Sequence, residues 1–168
     1  FQTASMGTVE IRLKPERFMY TSEKTALDYT FVACEVPAGV QAMELVKGGQ
    51  QGLRQGDTLV IVQYPSGGEK GVAVGPAVSV HHPYLSYEVD TEEGSSGSAV
   101  FKDYEPVALH HRAPREPEAK GFLSSMSCSV ARKKTNRGVL LAAILDDLEE
   151  KLAAKAKEKQ GKEKKEKG

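Results

Sequence analysis

Apolar runs of a few residues, separated by Gly- and Pro-marked breaks, dominate most of the chain. The runs at 9–13, 30–36, 58–63, 72–80 and 86–89 are strand-length and rich in β-branched residues, so they predict a β protein with short connections. A Gly67-Gly68 turn separates the 58–63 strand from the strand at 71–78. Further on, Ala99, Val100 and Phe101 form an apolar run, residues 102–105 a polar break, and Val107 to Leu109 a second run ending in His110 and His111. That pattern predicts a β-hairpin. Helical spacing is confined to the C-terminal part, where Leu141, Ile144, Leu145, Leu148 and Leu152 predict an amphipathic helix over 139–157 packed on the barrel, with Asn136 as a candidate cap.

The stretch between the 86–89 run and the hairpin carries the chemistry. It reads Asp90-Thr91-Glu92-Glu93-Gly94-Ser95-Ser96-Gly97-Ser98. A Gly/Ser-rich turn by itself signals a loop. Here the glycines flank one hydroxyl: without a Cβ at Gly94 and Gly97 the backbone can fold tightly around Ser96 and turn the amides of Gly94 and Ser96 toward one point. Such a point suits a developing oxyanion, and Ser96 is the candidate nucleophile. Upstream, Leu27-Asp28-Tyr29-Thr30-Phe31-Val32-Ala33 sets one carboxylate at the mouth of an otherwise apolar strand, and a buried Asp28 there would need a partner.

Taken together, these segments resemble the trypsin-like (chymotrypsin-fold) serine peptidases of the short, disulfide-free kind, similar to glutamyl endopeptidases. Leu27-Asp28-Tyr29-Thr30-Phe31-Val32 resembles the strand carrying that family's catalytic Asp, and Val62-Gln63-Tyr64-Pro65-Ser66-Gly67-Gly68 its strand and turn. Gly94-Ser95-Ser96-Gly97-Ser98-Ala99-Val100-Phe101 resembles its nucleophile loop, Val107-Ala108-Leu109-His110 its cleft strand, and residues 136–145 its closing strand and terminal helix. Ala99 departs from the family's usual Pro. The resemblance implies an all-β, chymotrypsin-like double β-barrel, with a complete second barrel, a partial first barrel and a C-terminal α-helix. It further implies a catalytic Ser96 and Asp28, an oxyanion hole at Gly94 and Ser96, and hydrolysis of peptide or protein substrates through an acyl-enzyme on Ser96.

The family's general base is a His that precedes the Asp. This chain has His81, His82, His110 and His111, all after Asp28. Two expectations follow: a protease domain lacking its first strands and inactive as it stands, or recruitment of one of these histidines in another chain order. Residues 1–6 look like the remnant of a tag-cleavage site followed by vector sequence. The expected organisation is therefore 1–6 as leader, 7–150 as a peptidase domain without its N-terminal strands, and 151–168 as a Lys/Glu-rich helical end or disordered tail.

Specificity signals point in two directions. Asp90, six residues before Ser96, matches the acid with which trypsin-like enzymes hold a basic side chain, whereas Thr91 and His110 match the pair with which glutamyl endopeptidases hold an acidic one. Two non-enzymatic readings compete with both. Gly52-Leu53-Arg54-Gln55-Gly56-Asp57 resembles a segment of PDZ peptide-binding modules. A pseudoprotease, an intact fold kept for binding, is the other.

Charge and cysteine content narrow the classes further. The balance is neutral overall, with 23 basic and 23 acidic residues, but 151–168 holds eight Lys against three Glu and leaves the rest at a net of −5. Glu158, Glu163 and Glu166 dilute the tail's positive charge, so a nucleic-acid partner is not indicated. No apolar run approaches the ~20 residues of a membrane span, and no cofactor or metal is expected. Cys34 and Cys128 are too few for a disulfide framework, which favours an intracellular, cytoplasmic or nuclear, location; Cys34 reads as a small buried hydrophobe. A partial first barrel would expose strand edges and invite self-association.

Overall fold

A computed structural model describes residues 2–3, 7–45, 52–112 and 135–166. The chain divides into two compact units, one of 1–46 with 146–168 and one of 47–145.

The second unit is a closed antiparallel barrel of six strands. In chain order these are β5 (Thr58–Gln63), β6 (Gly71–His81), β7 (Tyr84–Tyr87), β8 (Ala99–Lys102), β9 (Glu105–Arg112) and β10 (Asn136–Leu140). Around the barrel they run β10, β7, β6, β5, β8, β9, and β9 returns to β10. Alternation explains the inside: Leu59, Ile61 and Gln63 of β5 are buried, and Leu85, Tyr87, Val100, Val107 and Val139 fill the rest of the core. On the outer face Val60 lies opposite Val74 and Val62 opposite Val72, with Val62, Val72 and Val74 exposed. Closure removes strand edges from this sheet. Asp103 and Tyr104, both at positive φ, turn the expected β8–β9 hairpin.

The PDZ-like segment serves this barrel. Asp57 accepts from the Arg54 amide at 2.7 Å and pairs with Lys102 at 2.9 Å, which ties the entry of β5 to β8. After β5 comes a short 3-10 turn, Pro65–Gly67, and then β6, where a peptide-binding module would need a groove helix.

The first unit contains two small antiparallel sheets, β1 (Gln2–Thr3) with β2 (Gly7–Thr8), and β3 (Met19–Thr21) with β4 (Thr30–Val32). The run at 9–13 forms no named strand; Leu13 makes an isolated bridge to Cys34. Cys34 is exposed, which corrects the expectation of a buried thiol, because the strand before it ends at Val32. Cys128 lies outside the described residues.

Helix α1 (Leu141–Glu166) begins directly after β10 and continues through the Lys/Glu-rich segment. Asn136 is therefore a strand residue and not a cap. Its side chain donates to the Val89 carbonyl at 2.5 Å inside the barrel. The helix is not long and apolar enough to cross a membrane. A mostly β chain with one closed six-strand antiparallel barrel and a C-terminal helix is the chymotrypsin-like arrangement.

Candidate active site

Ser96 sits on the tight turn between β7 and β8, at the rim of the barrel, and is exposed. Gly94 and Gly97 hold φ +93° and +87°, values that only glycine adopts without strain. Gly94 has a second constraint: a Cβ there would fall 3.1 Å from the Gly67 nitrogen and 3.2 Å from the Tyr64 oxygen. The Ser96 turn thus rests against the Pro65–Gly67 turn, and a side chain would separate them.

Hydrogen bonds close the loop on itself. The Ser95 amide donates to the Glu92 carbonyl at 3.1 Å, the Ser98 amide to Ser95 at 3.1 Å, and the Gly97 amide to His110 at 2.8 Å. Ser95 is fully buried, with its Oγ accepting from the Glu92 amide. Among the described residues, the N–H groups of Gly94 and Ser96 have no acceptor. The Ser96 hydroxyl has one partner, the His111 carbonyl, at a long 3.4 Å.

His110 behaves differently from an accessible base. It is 3% exposed, and its Nδ1 lies 2.5 Å from the Tyr87 hydroxyl across the barrel interior. Burial, with a further push from His111, pulls its imidazole down to about 4, so it is neutral at physiological pH. Burial also pushes the Tyr87 phenol up, and Tyr87 stays protonated. With a hydroxyl proton free to occupy Nδ1, the ring can keep its own proton on Nε2. His81 and His82 are exposed at the far end of β6.

Asp90 opens the loop. Its side chain is exposed, and its carbonyl accepts from the buried Gln63 Nε2 at 2.9 Å. Thr91 is half-buried beside it. Two residues that sequence reading left without a role, Gln63 and Ser66, meet the loop here; Ser66 donates from its amide to the Glu93 carbonyl at 2.7 Å and from its hydroxyl to Glu92 Oε2 at 2.8 Å. The Gly67-Gly68 signal marked the turn, but nothing local marked its partner.

Asp28 belongs to the first unit. It stands just before β4 with φ +52° and is exposed, not buried as expected, because the left-handed residue turns the chain into the strand. Its amide donates to the Glu23 carbonyl at 3.1 Å, closing the preceding turn. The next residue, Tyr29, is buried and donates to Asp147 Oδ2 at 2.7 Å, and Tyr20 donates to the same oxygen at 3.1 Å.

Comparison with known proteins agrees with this fold. The family model described as a trypsin-like peptidase domain matches residues 4–108. The chain is also 29% identical over 180 aligned positions to the uncharacterized protein y4fB of Sinorhizobium fredii (strain NBRC 101917 / NGR234). That match covers 88% of this chain and 27% of the relative, so the chain spans about a quarter of the relative's length. The chain belongs to the trypsin-like peptidase domain family.

Proposed function

We propose that this is a serine endopeptidase domain in which Ser96 attacks the acyl carbon of a peptide bond. The observation that carries the reading is the Ser96 turn, where two glycines at positive φ leave the amides of Gly94 and Ser96 without internal acceptors beside an exposed hydroxyl. In the reaction a histidine takes the Ser96 proton, the carbonyl oxygen becomes an oxyanion between the two amides, and the amine leaves with the transferred proton. Water then hydrolyses the acyl-enzyme by the same route.

Asp28 orients the base in this scheme. The base itself is a histidine N-terminal to Asp28, as in the family's order, contributed by polypeptide outside these 168 residues. His110 is unsuited to the task, being buried, bonded to Tyr87 and low in proton affinity. On this reading the 168-residue chain alone is weakly active or inactive, and an extended form carrying the His is active. The pseudoprotease reading requires that the extended form stay inactive as well.

Substrate choice falls to Thr91, His110 and Asp90. The Tyr87–His110 bond favours the first two: a neutral imidazole whose Nδ1 is engaged offers an N–H to a side chain ending in an oxygen acceptor, such as Glu or Gln. An intracellular location completes the reading, supported by Cys34, a free and exposed thiol. The test is a cleavage-site profile on a mixed peptide library with the extended form. Cleavage after Glu or Gln, lost in Ser96→Ala and redirected in His110→Ala, is expected. Cleavage after basic residues that disappears in Asp90→Ser would transfer the role to Asp90, and no Ser96-dependent cleavage would overturn the function.

A further inference from the structure

We infer that Ser66 is a positioning residue for one half of the oxyanion hole, acting through the peptide that joins Glu93 to Gly94; this rests on the serine-peptidase reading. A peptide unit is planar and trans, so the direction of its C=O fixes the direction of its N–H. The Glu93 carbonyl and the Gly94 N–H belong to one such unit. The Ser66 amide holds that carbonyl at 2.7 Å, and thereby sets where the Gly94 N–H points.

The two donors of the hole are held in different ways. The Ser96 N–H shares its peptide with the Ser95 carbonyl, which accepts from the Ser98 amide at 3.1 Å, so the loop orients it from within. The Gly94 N–H has no comparable internal bond on its peptide. Its orientation comes from the Pro65–Gly67 turn, a separate element. Two more contacts hold the loop in register with the turn and with the end of β5: Ser66 Oγ donates to Glu92 Oε2 at 2.8 Å, and Gln63 Nε2 donates to the Asp90 carbonyl at 2.9 Å. All three bonds attach at Asp90, Glu92 and Glu93, the residues that lead into Gly94.

Ser66 does this from a left-handed conformation, at φ +53°. Serine tolerates that conformation poorly, glycine and asparagine well, and β-branched residues worst. Side chain and backbone contributions can therefore be separated by substitution. Ser66→Gly keeps the backbone geometry and removes the hydroxyl, Ser66→Asn keeps both the geometry and a donor, and Ser66→Val keeps neither.

The test is steady-state kinetics on a peptide ester together with fluorophosphonate labelling of Ser96, using the full-length protein. Ser66→Val should lower kcat and the labelling rate about 10- to 100-fold with KM nearly unchanged, since removing one oxyanion donor elsewhere costs about 100- to 1,000-fold. Ser66→Asn should restore most of the loss. In the 168-residue chain, the amide resonance of Gly94 should shift in Ser66→Val while that of Ser96 stays in place, and the β-branched but smaller change Ser66→Thr serves if the valine variant does not fold. Equal kcat in Ser66→Val and wild type, or coincident shifts of both amides, would overturn the inference while leaving the peptidase intact. A wild-type protein that never labels at Ser96 would instead overturn the underlying reading, and the inference with it.

Discussion

Tyr29 and Asp147 are 118 residues apart in sequence, yet the tyrosine hydroxyl donates to Asp147 Oδ2 at 2.7 Å. Tyr20, paired with Phe31 across the β3–β4 sheet, donates to the same oxygen at 3.1 Å. One carboxylate on α1 therefore secures β3 and the residue that leads from Asp28 into β4. The carboxylate pushes both phenols up, after burial as the larger cause, and so keeps them as donors. Hydrogen bonds to a charged acceptor are worth about 1.5–3 kcal/mol.

Asp147→Ala should lower the stability of the chain by about 2–3 kcal/mol, because it removes the acceptor of two hydroxyls at once. Tyr29→Phe should cost about 1–2 kcal/mol, and Tyr20→Phe less, since Tyr20 is only partly buried. Urea unfolding of the three variants checks the order. Equal losses for the two tyrosines would show that Asp147 does not hold Tyr29 preferentially.

Stability should also depend on pH through His110. Its folded pKa, about 4, lies below the ordinary value of 6.5, so the unfolded chain binds more protons between the two. The stabilisation is complete above about pH 6.5, falls as the pH drops through that window and is gone below about pH 4, with a total of order 1–3 kcal/mol. Denaturation curves from pH 4 to pH 7 should show that slope in the wild type and a shallower one in His110→Phe. Identical slopes would mean that His110 titrates normally in the folded protein.

The two loop glycines should differ in their tolerance of a side chain. Gly97→Ala meets open space and suffers mainly the left-handed backbone, about 1–2 kcal/mol, whereas Gly94→Ala adds contacts at 3.1 and 3.2 Å with backbone that cannot easily move. Thermal melts should place Gly94→Ala below Gly97→Ala. The reverse order would contradict the contact between the two turns.

Much of this arrangement was legible in the sequence because its signals are local. The β8–β9 hairpin follows from apolar runs on either side of a polar break, and the Ser96 turn from the spacing of two glycines. The helix boundary misled because Val139, Leu140 and Leu141 form one apolar run that suits a buried strand as well as a helix; the strand ends at Leu140. Asn136 looked like a cap for the same reason. Asp28 was expected to be buried because its neighbours are apolar, but its positive φ turns it outward. Ser66, Gln63 and Asp147 carried no signal, since each acts on a partner 26 or more residues away.

The central claim is that Ser96 is an activated nucleophile, and mass spectrometry of a fluorophosphonate adduct tests it most directly. On the proposed reading, the full-length protein should form one covalent adduct that maps to Ser96, vanishes in Ser96→Ala and falls sharply in Asp28→Asn. The 168-residue chain should form little or none over the same time. An adduct on another residue, or a full-length protein that stays unlabelled while folded, would contradict the account.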